Sequence, residues 1–312
     1  MPSWNELLET LEKQPDDVHR GAWLTAKIRE ALEGISARRK GRNVILYASA
    51  FLQKPGAPPT SLQLTHEEIN GFMSVMHGMD WTKGLTLVLH TPGGLINAAE
   101  TIVAYLWSKF SDIEVIVPTF AMSAGTMIGL ASDRIIMGRQ SQLGPIDPQM
   151  PLGGRLVSAR AVVEQFERAK AEVMGDLTCA HVWAPILQSM GPALLQEAQN
   201  ALDFGEQMVA KWLTTRMCSS TANPAEQAAK IARHFNDATA HKSHGRRIDR
   251  AEARSIGVVV EDLEDDQQLQ ECVLTGYHLV SISFEKSPAS KMLTNNAGRS
   301  WVKNLPMVRM MP

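Results

Sequence analysis

The sequence predicts an α/β fold built on parallel strands, and three observations carry that expectation. Between residues 85 and 138, short apolar runs (Leu85 to Leu89, Val115 to Val117, Arg134 to Met137) alternate with helical stretches. Strand–helix alternation of this kind favours parallel pairing through right-handed crossovers. Two of the strands run into turns of small residues, His90-Thr91-Pro92-Gly93-Gly94 and Ala121-Met122-Ser123-Ala124-Gly125-Thr126. The chain of 312 residues is long enough to bury a full core.

Residues 1–42 are polar and helix-prone, and they end in the basic run Arg38-Arg39-Lys40-Gly41-Arg42, read as a solvated boundary. Asn43 to Ala48 is the first strand, and Pro55 to Pro59 is a loop. Thr65-His66-Glu67-Glu68 has capping-box chemistry for a helix through Met76, with Thr65 as cap; Met73 and Met76, one turn apart, read as packing on that helix. From Asn97 to Phe110, Ile102, Tyr105, Leu106 and Phe110 recur on one helical face. Leu143-Gly144-Pro145-Ile146-Asp147-Pro148-Gln149 is a loop of turn formers, in which Asp147 is expected to fix a turn through its own side chain, with orienting a catalytic group as the lesser reading. Residues 159 to 234 are helical in pattern, with breaks expected at Gly175, Pro185, Gly191 and Pro224. Asp249 to Ser255 is a short helix leading into a strand from Gly257 to Val260, and the tail after Ser287 carries no clear pattern. The expected segments are therefore 1–42, a core over 43–158, a helical arm over 159–235, and a completion of the core with a tail over 236–312.

Composition narrows the function. The 31 basic and 33 acidic residues leave a net charge of −2, with no basic stripe interleaved with aromatics, so no nucleic-acid partner is expected. Cys179, Cys218 and Cys272 are odd in number and widely spaced, which argues against a disulfide framework or a zinc site and suits a reducing, cytoplasmic setting. No secretory signal and no membrane span is expected. Without a P-loop the chain supplies no ATP-driven step, and no cofactor is implied.

The two turns hold the chemistry. Pro92-Gly93-Gly94 presents unhindered backbone amides, and Ser123 sits where a strand turns into a helix, beside free N–H groups. Serine at a helix start is also an ordinary N-cap. A hydroxyl flanked by amides is the equipment for acyl transfer, provided a base is near, because serine is barely nucleophilic at neutral pH.

At Thr91-Pro92-Gly93-Gly94 and Met122-Ser123-Ala124-Gly125 the pattern resembles the ClpP/crotonase superfamily of serine peptidases, and within it the serine dehydrogenase proteinase branch, related to signal peptide peptidase A. Leu143 to Gln149, Ser243-His244-Gly245-Arg246-Arg247-Ile248 and Glu252-Ala253-Arg254-Ser255-Ile256-Gly257 extend the likeness. The resemblance implies a superhelix of β-β-α units with added helical segments, assembled as a homo-oligomer. It implies a serine endopeptidase acting on peptides or unfolded protein, with Ser123 as nucleophile, the amides of Gly94 and Ala124 as oxyanion donors and Gly93 permitting the turn. Whether an ATPase partner exists is left open.

The base departs from the ClpP pattern. Matching the strand after the nucleophile's helix to Arg134–Met137 puts Gly138 where ClpP has its histidine, and the triad's aspartate falls near Gly245. The signal peptide peptidase relatives use a serine–lysine dyad, and Lys170 stands in the corresponding helical region. A lysine base near neutral pH requires ~4 kcal/mol of differential destabilisation of its ammonium, which here only burial could supply. His244, with His241 behind it, is the rival base and needs no such shift. His90 reads as a structural histidine ending a strand. Two other functions fit the same residues: a crotonase-type acyl-thioester enzyme using the oxyanion hole without the serine, and a pseudoprotease scaffold lacking a base.

Overall fold

The computed structural model describes residues 2–305. They fall into two compact units, residues 2–143 with 249–305, and Gly144–Ile248. These divisions differ from the expected ones at 42/43, 158/159 and 235/236, and the last seven residues of the expected 236–312 segment lie outside the described residues.

The first unit opens with α1 (Trp4–Glu12), closed by a capping box between Ser3 and Glu6, and α2 (Asp17–Arg38), capped by Asp16. β1 (Asn43–Ser49) is buried along its whole length. α3 runs over Glu68–Met76. Glu68 does reach back to the Thr65 N–H at 2.8 Å, but Thr65 is not the cap, since the helix starts only at Glu68. Met76 is buried whereas Met73 is 52 % exposed, so only the former packs as expected. β2 (Leu85–His90), α4 (Ile96–Trp107), β3 (Ile113–Val117), β4 (Phe120–Ala121), α5 (Ala124–Leu130), β5 (Arg134–Met137) and β6 (Gln142–Leu143) realise the alternation read from the sequence.

The second unit begins with the hairpin of β7 (Gln149–Leu152) and β8 (Arg155–Ser158). Four helices follow: α6 (Ala159–Gly175), α7 (Ala180–Gln188), α8 (Leu194–Thr215) and α9 (Pro224–Asn236), then the single turn α10 (Ala238–His241). Val162 of α6 and Leu194, Ala198 and Leu202 of α8 form its small core, with Met150 and Phe166 packed against it. Pro185 was expected to break the helix but lies inside α7. It forfeits one intrahelical donor, and the helix ends within a turn, at Gln188.

Returning to the first unit, α11 (Arg250–Ser255) is capped by Asp249, and β9 is Val260–Asp262 rather than the expected 257–260. The chain is still closing the helix at Gly257, whose N–H donates to Arg254 O. α12 (Gln267–Lys286) and the antiparallel pair β10 (Ala289–Asn295) and β11 (Ser300–Asn304) complete the unit.

The main sheet has the order β11-β10-β1-β2-β3-β5-β9, parallel from β1 to β9. Leu24, Ile28, Leu32 and Ile35 of α2 and Val273 and Val280 of α12 cover Val44, Leu46, Val88, Ile116 and Ile136. Burial at this scale, ~25 cal/mol per Å² of apolar surface, is what holds the strands together. Near the amino ends of the parallel strands, the fully buried Glu114 accepts two bonds from Arg39, at 2.7 and 2.6 Å, and one from Thr86 at 2.7 Å. Burial alone would raise its carboxyl pKa, but the Arg39 and Thr86 hydrogen bonds and the charges of Arg42 and Arg39 outweigh it and hold the group below its usual value. The opposite ends of the same strands are left for the turns. Among the described residues, no helix is long and apolar enough to cross a membrane.

Candidate active site

The two small-residue turns meet. Thr91 N–H donates to Phe120 O at 2.9 Å and Met122 N–H to Thr91 O at 3.0 Å, so a bridge between Thr91 and Ala121 zips them together. Gly93 then passes so close to the second turn that a β-carbon on it would lie 2.6 Å from Met122 O, 2.7 Å from Ser123 Cβ and 3.0 Å from Ala124 N. Its φ of +94° is open to glycine. On its other side the turn is clamped by Leu64, whose N–H donates to Gly93 O at 2.8 Å and whose carbonyl accepts from Leu95 N–H at 2.9 Å. That clamp uses the Gly93 carbonyl and the Leu95 N–H, and leaves the Gly94 N–H out. Among the described residues neither the Gly94 nor the Ala124 N–H enters a backbone hydrogen bond. Ala124 is the first residue of α5, where helical N–H groups have no partner within the helix.

Ser123 adopts φ 51° and ψ −118°, a conformation that costs a non-glycine residue on the order of 1–3 kcal/mol. Its side chain does not cap α5, so the ordinary reason for a serine at a helix start is absent. The strained turn is held from both ends: Thr126 Oγ1 donates to Ala121 O at 2.7 Å and Gly125 N–H to Met122 O at 2.8 Å. A serine forced into such a strand-to-helix elbow presents its hydroxyl outward beside the helix amides.

His90, one residue before the turn, is the buried structural histidine expected. Its ring stacks on Phe51 at 4.9 Å, meets Tyr277 edge-on at 4.9 Å, and shares a 2.9 Å hydrogen bond between Nδ1 and Thr119 Oγ1. Burial pushes its pKa down to about 3, so the ring is neutral at physiological pH. The unfolded chain takes up a proton near the ordinary value of 6.5 and the folded chain does not, so this residue makes the fold less stable as pH falls from 6.5 toward 3. The slope is about 1.4 kcal/mol per pH unit. Urea titrations at pH 6 and 5 should show this loss, and His90→Asn should shrink it by about that amount; an unchanged slope in the variant would refute the assignment.

In the second unit, Asp147 and His244 form a pair that the sequence left separate. His244 Nδ1 lies 2.7 Å from Asp147 Oδ1, and Gln149 Nε2 donates to the other carboxylate oxygen at 2.7 Å. Asp147 is 2 % exposed, and its carboxylate both bonds within its own turn, to Gln149, and holds the histidine. The contact engages Nδ1 and holds the ring, leaving Nε2 as the second ring nitrogen. The imidazole lines a cleft with Ser158, Arg160 and Lys242. His241 is turned to other work, with Nε2 2.7 Å from His234 O and Nδ1 2.9 Å from Arg246. Lys170 lies on α6 with its side chain 68 % exposed and 3.9 Å from Glu167. The burial that a lysine base requires is not provided there by this unit.

The candidate site is thus a serine at a strained elbow on an α/β scaffold, beside a glycine turn whose Gly94 N–H enters no backbone hydrogen bond among the described residues. The sequence model of the ClpP-like SDH-type serine proteinases matches residues 64–215, just under half of the chain. The fold is α/β of the ClpP/crotonase type, as the motifs implied. The chain is also 34 % identical over 137 residues to the uncharacterized protein MJ0137 of Methanocaldococcus jannaschii, 44 % of each chain. It is 40 % identical over 94 residues to the uncharacterized protein MJ1495 of the same organism, 30 % of each chain. It thus spans less than half the length of either relative. A solved structure of a membrane-bound stomatin-specific protease, 1510-N, in a mutant form, matches 64 % of this chain and 75 % of its own at 16 % identity and a TM-score of 0.37.

Proposed function

We propose that the chain is a serine endopeptidase acting on peptides or unfolded protein, with Ser123 as nucleophile and the Gly94 and Ala124 amides as oxyanion donors. The observation that supports this reading is how closely the glycine turn approaches the serine elbow: a β-carbon on Gly93 would lie 2.7 Å from Ser123 Cβ and 3.0 Å from Ala124 N. Ser123 Oγ attacks the scissile carbonyl, and the negative charge on its oxygen is met by the two N–H groups. The tetrahedral adduct expels the amine, and water hydrolyses the resulting ester. The homo-oligomeric assembly implied by the resemblance and the cytoplasmic setting suggested by the cysteines belong to the same proposal.

For the base we propose His244, positioned by Asp147, with Lys170 as the competing arm of the test. What supports His244 is its oriented ring, with Nε2 as the second nitrogen; what speaks against Lys170 is its exposure. Whichever of the two is the base takes the serine's proton and returns it to the leaving amine. Hydrolysis of casein by the full-length chain should fall at least about 10²-fold in His244→Ala and in Asp147→Asn, and hold in Lys170→Ala. The opposite pattern would overturn the base and keep the peptidase.

A further inference from the structure

We propose that the buried pair of Glu68 and Lys291 is the positioning device of the oxyanion turn, an inference that rests on the peptidase reading above. Lys291 Nζ on β10 lies 2.5 Å from Glu68 Oε1 at the start of α3, with side chains 2 % and 0 % exposed. Taking two charges out of water is costly, and an apolar pair of similar volume would give as much cohesion. The arrangement has a direction that an apolar pair would lack. The second carboxylate oxygen of Glu68 accepts both the N–H and the hydroxyl of Thr65, each at 2.8 Å. The Tyr47 hydroxyl adds a longer bond to the first oxygen, at 3.4 Å.

Thr65 follows Leu64, the residue that clamps the turn. Leu64 N–H holds Gly93 O at 2.8 Å. The peptide joining Gly93 to Gly94 is planar and trans, so its N–H points opposite to its carbonyl. Pinning Gly93 O on Leu64 therefore aims the Gly94 N–H away from Leu64, as an oxyanion donor needs. The fit leaves no slack, since a β-carbon on Gly94 would stand 2.3 Å from Leu64 O. The chain of contacts runs from Lys291 through Glu68, Thr65 and Leu64 to the peptide that carries the donor.

The test separates a donor that has lost its aim from a fold that has loosened. In full-length protein carrying Ser123→Cys, a p-nitrophenyl ester acylates the sulfur through a tetrahedral oxyanion and releases nitrophenolate. Iodoacetamide alkylates the same sulfur by displacing iodide, with no oxyanion formed. Both adducts are quantified at position 123 by mass spectrometry. Adding Glu68→Gln should slow acylation about tenfold or more while alkylation stays within about twofold. Thr65→Val, a milder change at the edge of the network, should act in the same direction and decides the matter if the Glu68 variant does not fold. Acylation unchanged, or both reactions falling in parallel, would overturn the proposal. Absence of ester acylation with Glu68 intact, alongside normal alkylation, would instead refute the peptidase reading on which it rests.

Discussion

Ser123→Ala is expected to lower peptide hydrolysis on the order of 10⁴-fold or more while leaving the fold essentially as stable as before. On the proposed mechanism the loss is that of the atom that forms the covalent bond, and what survives is the smaller contribution of the oxyanion donors and of binding. The neutrality toward stability follows from what the hydroxyl does not do. It does not cap α5, and alanine has to bear the same φ of 51°. Substitutions that break no such interaction are usually within ±0.5 kcal/mol. Turnover and a thermal melt on the same preparation check both halves. A variant that hydrolyses at the native rate would remove Ser123 from the mechanism, and one that melts far lower would make it structural.

The second large effect is expected at Gly93. In Gly93→Ala the new methyl group would sit 2.6 Å from Met122 O and 2.7 Å from Ser123 Cβ, distances that real β-carbons do not occupy. The two turns must then separate, and with them the Gly94 amide from the nucleophile. Loss of one oxyanion donor costs ~10²–10³ in rate, and a comparable fall in acylation by an ester is expected. Gly41→Ala is the control. Gly41 also has a positive φ, +75°, but nothing lies within 4 Å of its added methyl. It should cost about 1 kcal/mol of stability, by backbone strain alone, and leave acylation unchanged. Equal losses of rate at the two positions would mean that strain, not the meeting of the turns, sets the effect.

Much of the first unit was legible because its signals are local. The apolar runs at 85–89, 115–117 and 134–137 and the turns that follow them depend on residues adjacent in sequence, and they became β2, β3, β5 and the Ser123 elbow. The unread parts depend on distant partners. β10, with Ser290, Lys291, Thr294 and Asn295, looks polar, yet it is buried throughout because Glu68 and the neighbouring strands satisfy its polar groups. Asp147 and His244 are 97 residues apart, and each carries only a turn-like context in the sequence. The exposure of Lys170 was equally invisible, since a helical lysine reads alike whether it is covered or solvated. Leu64 gave no signal at all; its role exists only because the Gly93 peptide lies against it.

The residue at which an electrophile lands identifies the nucleophile directly. Full-length protein treated with a fluorophosphonate and digested should carry a single phosphonylated peptide, modified at Ser123 and missing from Ser123→Ala. Phosphonylation at another residue, or casein cleavage persisting in a preparation that takes up no label at Ser123, would contradict it.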